Sequence, residues 1–384
     1  MIRLVEYRTD RVPLGKEDLE YLLAMVRGSG DESQAQVIEA ITPTAEPGTY
    51  LIRPGGFVGR LGLPSGEAID IASRFRFSDL IELIRHSERV PLRVDELEAP
   101  AGAEAFVVDV LAAAFARETD RLVAGGLAKG YRQHRFDRPP YPGQVDINLH
   151  IGRYAGRPDR LVTRARRITH DIDPNRALAL ALDVLQRVRL VDPIRHSVAR
   201  LGPAFVRIGR GPMSGAEVAR IPLTRLTKRY EQALGLAELI LRSRAISPRE
   251  TDLSGASVLF NMPKVWEDYV ARWVESAWGD GYRVEPLYRF DLTADGVLSS
   301  EADVTVWKGD DLVALYDAKY KFLNQTPAMG DVYQMVTYCT RLGLDEATLV
   351  YPGTGEERSF KVEHITVRMQ GLPVVASAPA AISA

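Results

Sequence analysis

One stretch limits the folds open to this chain more than any other. It runs from Glu301 to Gln334, EADVTVWKGDDLVALYDAKYKFLNQTPAMGDVYQ. Two short apolar runs lie inside it, Asp303 to Trp307 and Leu312 to Tyr316, both rich in β-branched and aromatic residues. The polar Lys308-Gly309-Asp310-Asp311 between them reads as the turn of a β-hairpin. Asp303 opens the first predicted strand and Asp317 closes the second. Lys319 follows Asp317 by two positions, so both point to the same side.

Two carboxylates and a lysine on one strand pair have a chemical use. Hard divalent cations prefer carboxylate oxygens, and Mg²⁺ commonly takes one or two, filling its shell with water and phosphate oxygens. A neighbouring lysine can orient a water or neutralise charge growing on a phosphate. The arrangement Asp303…Asp317-Ala318-Lys319 resembles the metal site of the PD-(D/E)xK nucleases. It departs at Ala302, where that family often has proline, a turn device and not a ligand. Standing alone, D-x-K more often marks solvated strand ends, so its weight depends on the rest of the chain.

The 384 residues are 46% hydrophobic and 26% charged, ordinary globular composition with length for two or three domains. A formal net charge of −2 excludes a globally basic protein, so any nucleic-acid surface must be local. The single cysteine, Cys339, excludes an intrachain disulfide framework and a cysteine zinc site, and reads as a small buried hydrophobe. No apolar run approaches a membrane span, which predicts a soluble cytoplasmic protein with no membrane partner. Neither a Walker-type phosphate loop nor a usable G-x-G-x-x-G occurs, so the chain is not expected to bind or hydrolyse a nucleotide alone.

The predicted class is α/β (α+β), with a β-rich N-terminal module over residues 1–78 and a mostly helical middle with basic loops over 79–250. A nuclease-like domain over 251–372 and a small-residue tail, 373–384, complete it. Predicted strands in the first module are Ile2–Tyr7, Ala35–Ile41, Thr49–Ile52, Phe57–Leu63 and Ala68–Ile71, with a helix over Lys16–Arg27. The module reads as a partner-binding piece or a cap on the fold. Ser78 is a candidate N-cap for the next helix, and Ala103–Gly125 is a longer helix closed by Gly125-Gly126. Pro142 to Ile147 reads as a turn into a strand, and Asp173-Pro174 as cap and first position of a helix over Ala177–Arg189. A further helix is expected over Leu226–Arg244, then a boundary at Ser247–Asp252.

Arginines gather at Arg153, Arg157, Arg160, Arg164, Arg166 and Arg167, and basic residues again from Arg207 to Arg229. These suit phosphate or acidic-partner contact, or form a solvated face balanced by acids. The histidines show no metal-ligand spacing. Asn261 or Pro263 starts a helix to about Trp278, in which Glu267 lies among large apolar residues. It is either an exposed helix glutamate or a third carboxylate over the hairpin. On a later helix, Gln334 and Tyr338 share a face. Gln334 either hydrogen-bonds a phosphate or a water on the cation, or is an ordinary polar helix residue.

Taken in order, Glu267, Asp303, Asp317-Ala318-Lys319 and Gln334-Met335-Val336-Thr337-Tyr338 resemble the McrC family, nuclease subunits of the McrBC modification-dependent (type IV) restriction systems. The likeness covers about residues 255–355 and includes Leu349-Val350-Tyr351-Pro352. It extends to Gly126-Leu127…Tyr131, Gly143-Gln144-Val145-Asp146 and Asp171-Ile172-Asp173-Pro174-Asn175-Arg176 in the middle. Gln144 stands where the family often has arginine, and the first 75 residues match poorly. The resemblance implies a Mg²⁺-dependent DNA endonuclease, with Mn²⁺ as an alternative cation. Asp303, Asp317 and Glu267 would hold the metal, Lys319 would position water or stabilise phosphate charge, and Gln334 would help hold the site. It also implies a ring-forming AAA+ GTPase of McrB type as partner, engaged through the N-terminal region and stimulated in its hydrolysis, and modified (methylated) DNA as substrate. Two other readings stay open: an NTPase-activating subunit with a weak or silent nuclease, and a stand-alone repair nuclease.

Overall fold

The structure, a computed structural model, describes residues 1–28, 36–75, 79–80, 82–84, 106–154, 156–157, 159–243, 257–321 and 327–374. The expected Ser78 cap, the boundary at Ser247–Asp252 and the end of the tail lie outside these residues. Two compact units are present. One draws its described residues from before Val90 and after Leu259; the other draws them mainly from between Pro91 and Ala245.

In the first unit, β1 (Ile2–Val5), β5 (Phe57–Gly62), β6 (Ala68–Ala72) and β10 (Val258–Asn261) form a sheet in the order β1-β6-β5-β10. Every residue of β5 is buried, so its near-continuous apolar run is what a strand covered on both faces requires. Arg60 and Asp70 sit directly opposite in this sheet and pair through two bonds of 2.6 and 2.9 Å. Beside it, β2 (Asp10–Pro13), β3 (Ile38–Pro43) and β4 (Thr49–Pro54) make an antiparallel sheet, with α1 (Lys16–Gly28) against β3. The short strand β2 was missed in the sequence because its four residues, Asp-Arg-Val-Pro, bury only Val12.

The same unit holds a six-stranded mixed sheet. Its strands are β11 (Arg283–Asp291), β12 (Ser299–Lys308), β13 (Asp311–Ala318), β14 (Glu346–Pro352), β15 (Glu357–Val362) and β16 (Ile365–Leu372), in the order β11-β12-β13-β14-β16-β15. The expected hairpin is β12–β13, antiparallel, with Gly309 in the left-handed conformation (φ 63°) at its turn. β13, β14 and β16 are parallel neighbours. Two helices cover the sheet: α8 (Met262–Trp278) and α9 (Met329–Leu342). Leu315 and Leu349 belong to the core of α9 with Met335 and Cys339. Tyr316 and Val350 instead meet α8, through an edge contact from Trp273 and a 3.1 Å hydrogen bond from Trp266 Nε1. Adjacent strand residues face opposite ways, so the helices lie on opposite faces. Trp266 is fully buried, and truncating a side chain of that size to alanine costs about 3–5 kcal/mol.

The second unit packs α2 (Val107–Ala124), α4 (Asp173–Arg187), α5 (Asp192–Leu201), α6 (Gly215–Ala219) and α7 (Glu231–Arg242) together. A small antiparallel sheet joins β7 (Gly130–Phe136), β9 (Thr163–Thr169) and the two-residue β8 (Gln144–Val145). The strand expected within Pro142 to Ile147 is β8, and it is cut short at two residues because the chain turns into α3 (Ile147–Tyr154). Asp146 accounts for this, accepting from Leu149 N at 3.3 Å at the helix start. The cap of α4 is Ile172, not Asp173, which falls in the first turn. The predicted helix from Leu226 begins instead with a 3₁₀ turn, Lys228–Tyr230, before α7.

Candidate active site at the end of the β12–β13 pair

The site is built where the hairpin ladder runs out. Val304 pairs with Tyr316, and one residue further along stand Asp303 on β12 and Asp317 on β13. Asp303 does not open its strand: β12 extends back to Ser299 because β11 pairs along it. The polar Ser299-Ser300-Glu301 hid that extension in the sequence. Asp303 Oδ2 accepts a 2.7 Å hydrogen bond from Ala318 N, tying one acid to the backbone of the other's strand.

Lys319 lies just past β13. Its Nζ donates to Gln334 Oε1 at 2.9 Å and stands 2.7 Å from Asp317 Oδ2. The second contact is a buried ion pair, and Lys319 is what Asp317 Oδ2 has for a partner. Gln334 thus holds the lysine rather than facing outward, and its Nε2 donates to Tyr338 OH at 3.1 Å. Tyr338 OH in turn donates to Glu301 O at 3.3 Å and bonds to Ser300 Oγ. The i,i+4 spacing of Gln334 and Tyr338 on α9 makes this chain possible. The shared face was legible in the sequence; the Ser300 and Glu301 partners were not.

Glu267 is placed differently. It is on α8 and bonds to Lys264 Nζ at 3.2 Å, and the same lysine pairs with Asp268 at 3.2 Å. Among the described residues, no group of three or more histidines, cysteines, aspartates or glutamates is gathered closely enough to hold a metal ion. The structure brings Asp303, Asp317, Lys319 and Gln334 together through hydrogen bonds and an ion pair, whereas Glu267 is linked to the two aspartates only through the mutual repulsion of their charges.

The electrostatics are those of stacked like charges. Burial, then the charges of Asp317 and Glu267, push the Asp303 carboxyl up to about 8. Burial also raises Asp317, with the Lys319 charge opposing. Glu267 is raised by burial against the pull of Lys264, with Asp268 and Asp317 adding to the rise. Burial draws Lys319 down, but its acidic neighbours Asp317, Asp303 and Asp331 together outweigh it and hold the ammonium above the ordinary lysine range. Lys321 pairs with Asp331 at 2.5 Å beside the site.

Part of the arginine groups is engaged within the chain. Arg164 pairs with Asp146 at 2.5 Å, Arg210 with Asp183 at 2.6 Å, and Arg229 bonds to the Gly125 and Gly126 carbonyls. The Asp171–Arg176 motif closes on itself through bonds of 2.6 and 2.8 Å, with Gly209 N donating to Asp171 at 2.9 Å. No described helix is long and apolar enough to cross a membrane.

A family model described as "McrBC 5-methylcytosine restriction system component" matches residues 52–352. No curated protein matches the chain. Among solved structures, a half-complex from a tetradecameric assembly of Thermococcus gammatolerans McrB AAA+ hexamers with bound McrC is similar over 100% of this chain and 96% of its own. Its TM-score is 0.63 at 15% identity, a likeness of fold. A cryo-EM structure of the Thermococcus gammatolerans McrBC complex is similar over 71% of this chain and 86% of its own, with a TM-score of 0.49 and 14% identity.

Proposed function

This chain belongs to the family of McrBC 5-methylcytosine restriction system components, as a McrC-like subunit, and from that premise we propose that it is the metal-dependent DNA endonuclease of a McrBC-like system. One observation carries the reading: Asp303, Asp317, Lys319 and Gln334 meet at one end of a hairpin, with Asp317 buried, Asp303 half-buried and both carboxyls raised. This is the polar constellation of a PD-(D/E)xK core.

The donor set fits a hard divalent cation. Asp303 and Asp317 disfavour each other's charged form, as the raised Asp303 carboxyl shows, and a bound cation would offset that repulsion. Mg²⁺ needs only one or two carboxylates, so Asp303 and Asp317 suffice as protein ligands, with Glu267 as a further one if Lys264 releases it. When bound, the cation supplies Lewis-acid stabilisation of the phosphate and activates water. Lys319, firmly protonated, acts as a donor beside the phosphate where negative charge grows. Gln334 fixes its direction, and Tyr338 fixes Gln334. Water adds to phosphorus and the bond to the 3′ oxygen breaks, leaving a 5′-phosphate and a 3′-hydroxyl.

The similar Thermococcus structure contains McrC bound to McrB AAA+ hexamers. This chain is proposed to work likewise with a ring-forming AAA+ GTPase, to stimulate its hydrolysis, and to cut DNA carrying a methylated base. The test is cleavage of methylated and unmethylated plasmid with Mg²⁺, by wild type and Lys319→Ala. Each is assayed with and without a McrB-type AAA+ NTPase, plus GTP or ATP. Cutting that needs Lys319 and the fuelled partner is the expected result. Lys319-dependent cutting without a partner would point to a repair nuclease. Stimulated hydrolysis without any cutting would point to an activator.

A further inference from the structure

Lys319 lies beyond the last ladder pair, Ala318 with Val350, so the sheet alone does not fix it. Its own N–H donates to Val350 O at 2.9 Å. The next residue, Tyr320, is buried and is held from the N-terminal strands. Its hydroxyl donates to Glu6 Oε1 at 2.9 Å, and its carbonyl accepts from Arg74 Nη2 at 2.7 Å. The Arg74 guanidinium lies 4.5 Å over the tyrosine ring, and Phe75 packs against it at 5.6 Å. Glu6 is 2% exposed, and the same Oε1 also accepts from Arg74 N at 2.9 Å and Ser73 Oγ at 3.0 Å.

Two further features show that this clamp is built in. Tyr7, next to Glu6, takes the left-handed conformation (φ 59°), which for a residue with a side chain costs on the order of 1 kcal/mol and persists only where surroundings enforce it. Gly56 lets the N-terminal strands approach α8 closely: a Cβ there would stand 2.4 Å from Tyr7 OH and 2.8 Å from Pro263 Cδ. Met262 N donates to Gly56 O at 2.9 Å. The N-terminal strands thus brace both the exit of β13 and the start of the helix carrying Glu267.

We propose that Glu6, Arg74 and Tyr320 are positioning residues for the nuclease reaction, fixing the main chain after Ala318 so that the Lys319 ammonium stays between Asp317 and Gln334. The inference rests on the nuclease reading above. It gives the first 75 residues a part in the chemistry, where sequence alone offered only a cap or a partner-binding piece. A lysine side chain has four rotatable bonds, and displacement by about 1 Å can cost about 10²-fold in rate.

The test is single-turnover cleavage by the full chain with its partner, nucleotide and Mg²⁺. Enzyme saturates the DNA, so an unfolded fraction leaves the rate constant unchanged. Tyr320→Phe keeps the ring and deletes the bond to Glu6; Arg74→Lys keeps the charge and weakens the hold on the Tyr320 carbonyl. We expect each rate constant to fall at least tenfold, with the half-saturating enzyme concentration unchanged. Wild-type rate constants in both variants, with Lys319→Ala inactive, would overturn the positioning role alone. A rise in the half-saturating concentration with an unchanged saturated rate would also overturn it, as a binding effect. If wild type does not cut, or cuts without Lys319, the nuclease reading fails and this inference with it. Should Tyr320→Phe not fold, Arg74→Lys decides.

Discussion

Asp171 and Asp303 are the same residue in opposite circumstances. Asp171, in the helical unit, is surrounded by donors: Arg176 twice, Arg132 at 3.1 Å and Gly209 N. The Arg176 bonds outweigh its partial burial, with Gly209 and Arg132 adding, and lower its carboxyl to about 2. Asp303 is half-buried with one backbone donor and two acidic neighbours, and is raised to about 8. A carboxylate with its partners supplied stabilises the unit that holds it. One left short of positive charge is poised to receive it from a ligand. The difference teaches where to look for chemistry: to the acid that the fold does not satisfy.

The largest effect is expected from removing the proposed chemistry at Asp317 or Lys319. Asp317→Ala or Lys319→Ala should lower partner-dependent cleavage by at least about 10³-fold while circular dichroism stays that of wild type. Wild-type cutting by either folded variant would remove the contrast altogether.

Cation binding should distinguish the two acids next. Mg²⁺ at about 100 times its dissociation constant should stabilise wild type by about 2.7 kcal/mol in thermal melts. Asp317→Asn should lose most of that gain, whereas Asp171→Asn should keep it in full.

The pH dependences should then run in opposite directions. Asp171, lowered in the fold, contributes stability that is present above the unfolded carboxylate range near 3.9 and is lost as pH falls through about 2. Asp171→Asn should cost about 2 kcal/mol at pH 7, allowing for its partial exposure, and the cost should shrink in acid. Asp303, raised in the fold, binds its proton more tightly folded than unfolded. Its stability is present below about 3.9 and fades as pH rises through about 8. Asp303→Asn can still accept from Ala318 N, so without metal it should be about 1–2 kcal/mol more stable than wild type at pH 8, with the gap closing toward pH 4. Denaturant midpoints across that range would show a variant that is stabilised and inactive.

The smallest effect is expected at Glu267. Because Glu267 bonds Lys264 and makes no hydrogen bond to the two aspartates, Glu267→Gln should reduce cleavage only about tenfold, through weaker Mg²⁺ affinity. A loss as large as that of Asp317→Ala would make it a full metal ligand.

Local physics made much of this legible. Alternating β-branched residues and a Gly-Asp turn specify the β12–β13 hairpin, whatever surrounds it. The Asn261 cap was visible too, and its side chain does accept from Lys264 N at 3.2 Å. So was the shared face of Gln334 and Tyr338, because i,i+4 spacing is a property of the helix alone. The sequence by itself thus determined which residues occupy the hairpin, α8 and α9, and that two acids and a lysine sit at one end of a strand pair. It could not show that Asp303 is mid-strand, since that depends on β11 pairing past it. Nor could it show that Glu267 turns to Lys264, a choice among rotamers settled by neighbouring charges. Glu6 and Arg74 close on Tyr320 across more than two hundred residues of sequence, a contact that exists once the strands have assembled. Backbone propensity acts over a turn or a strand, whereas burial and charge act between whichever groups the completed fold brings within a few ångströms.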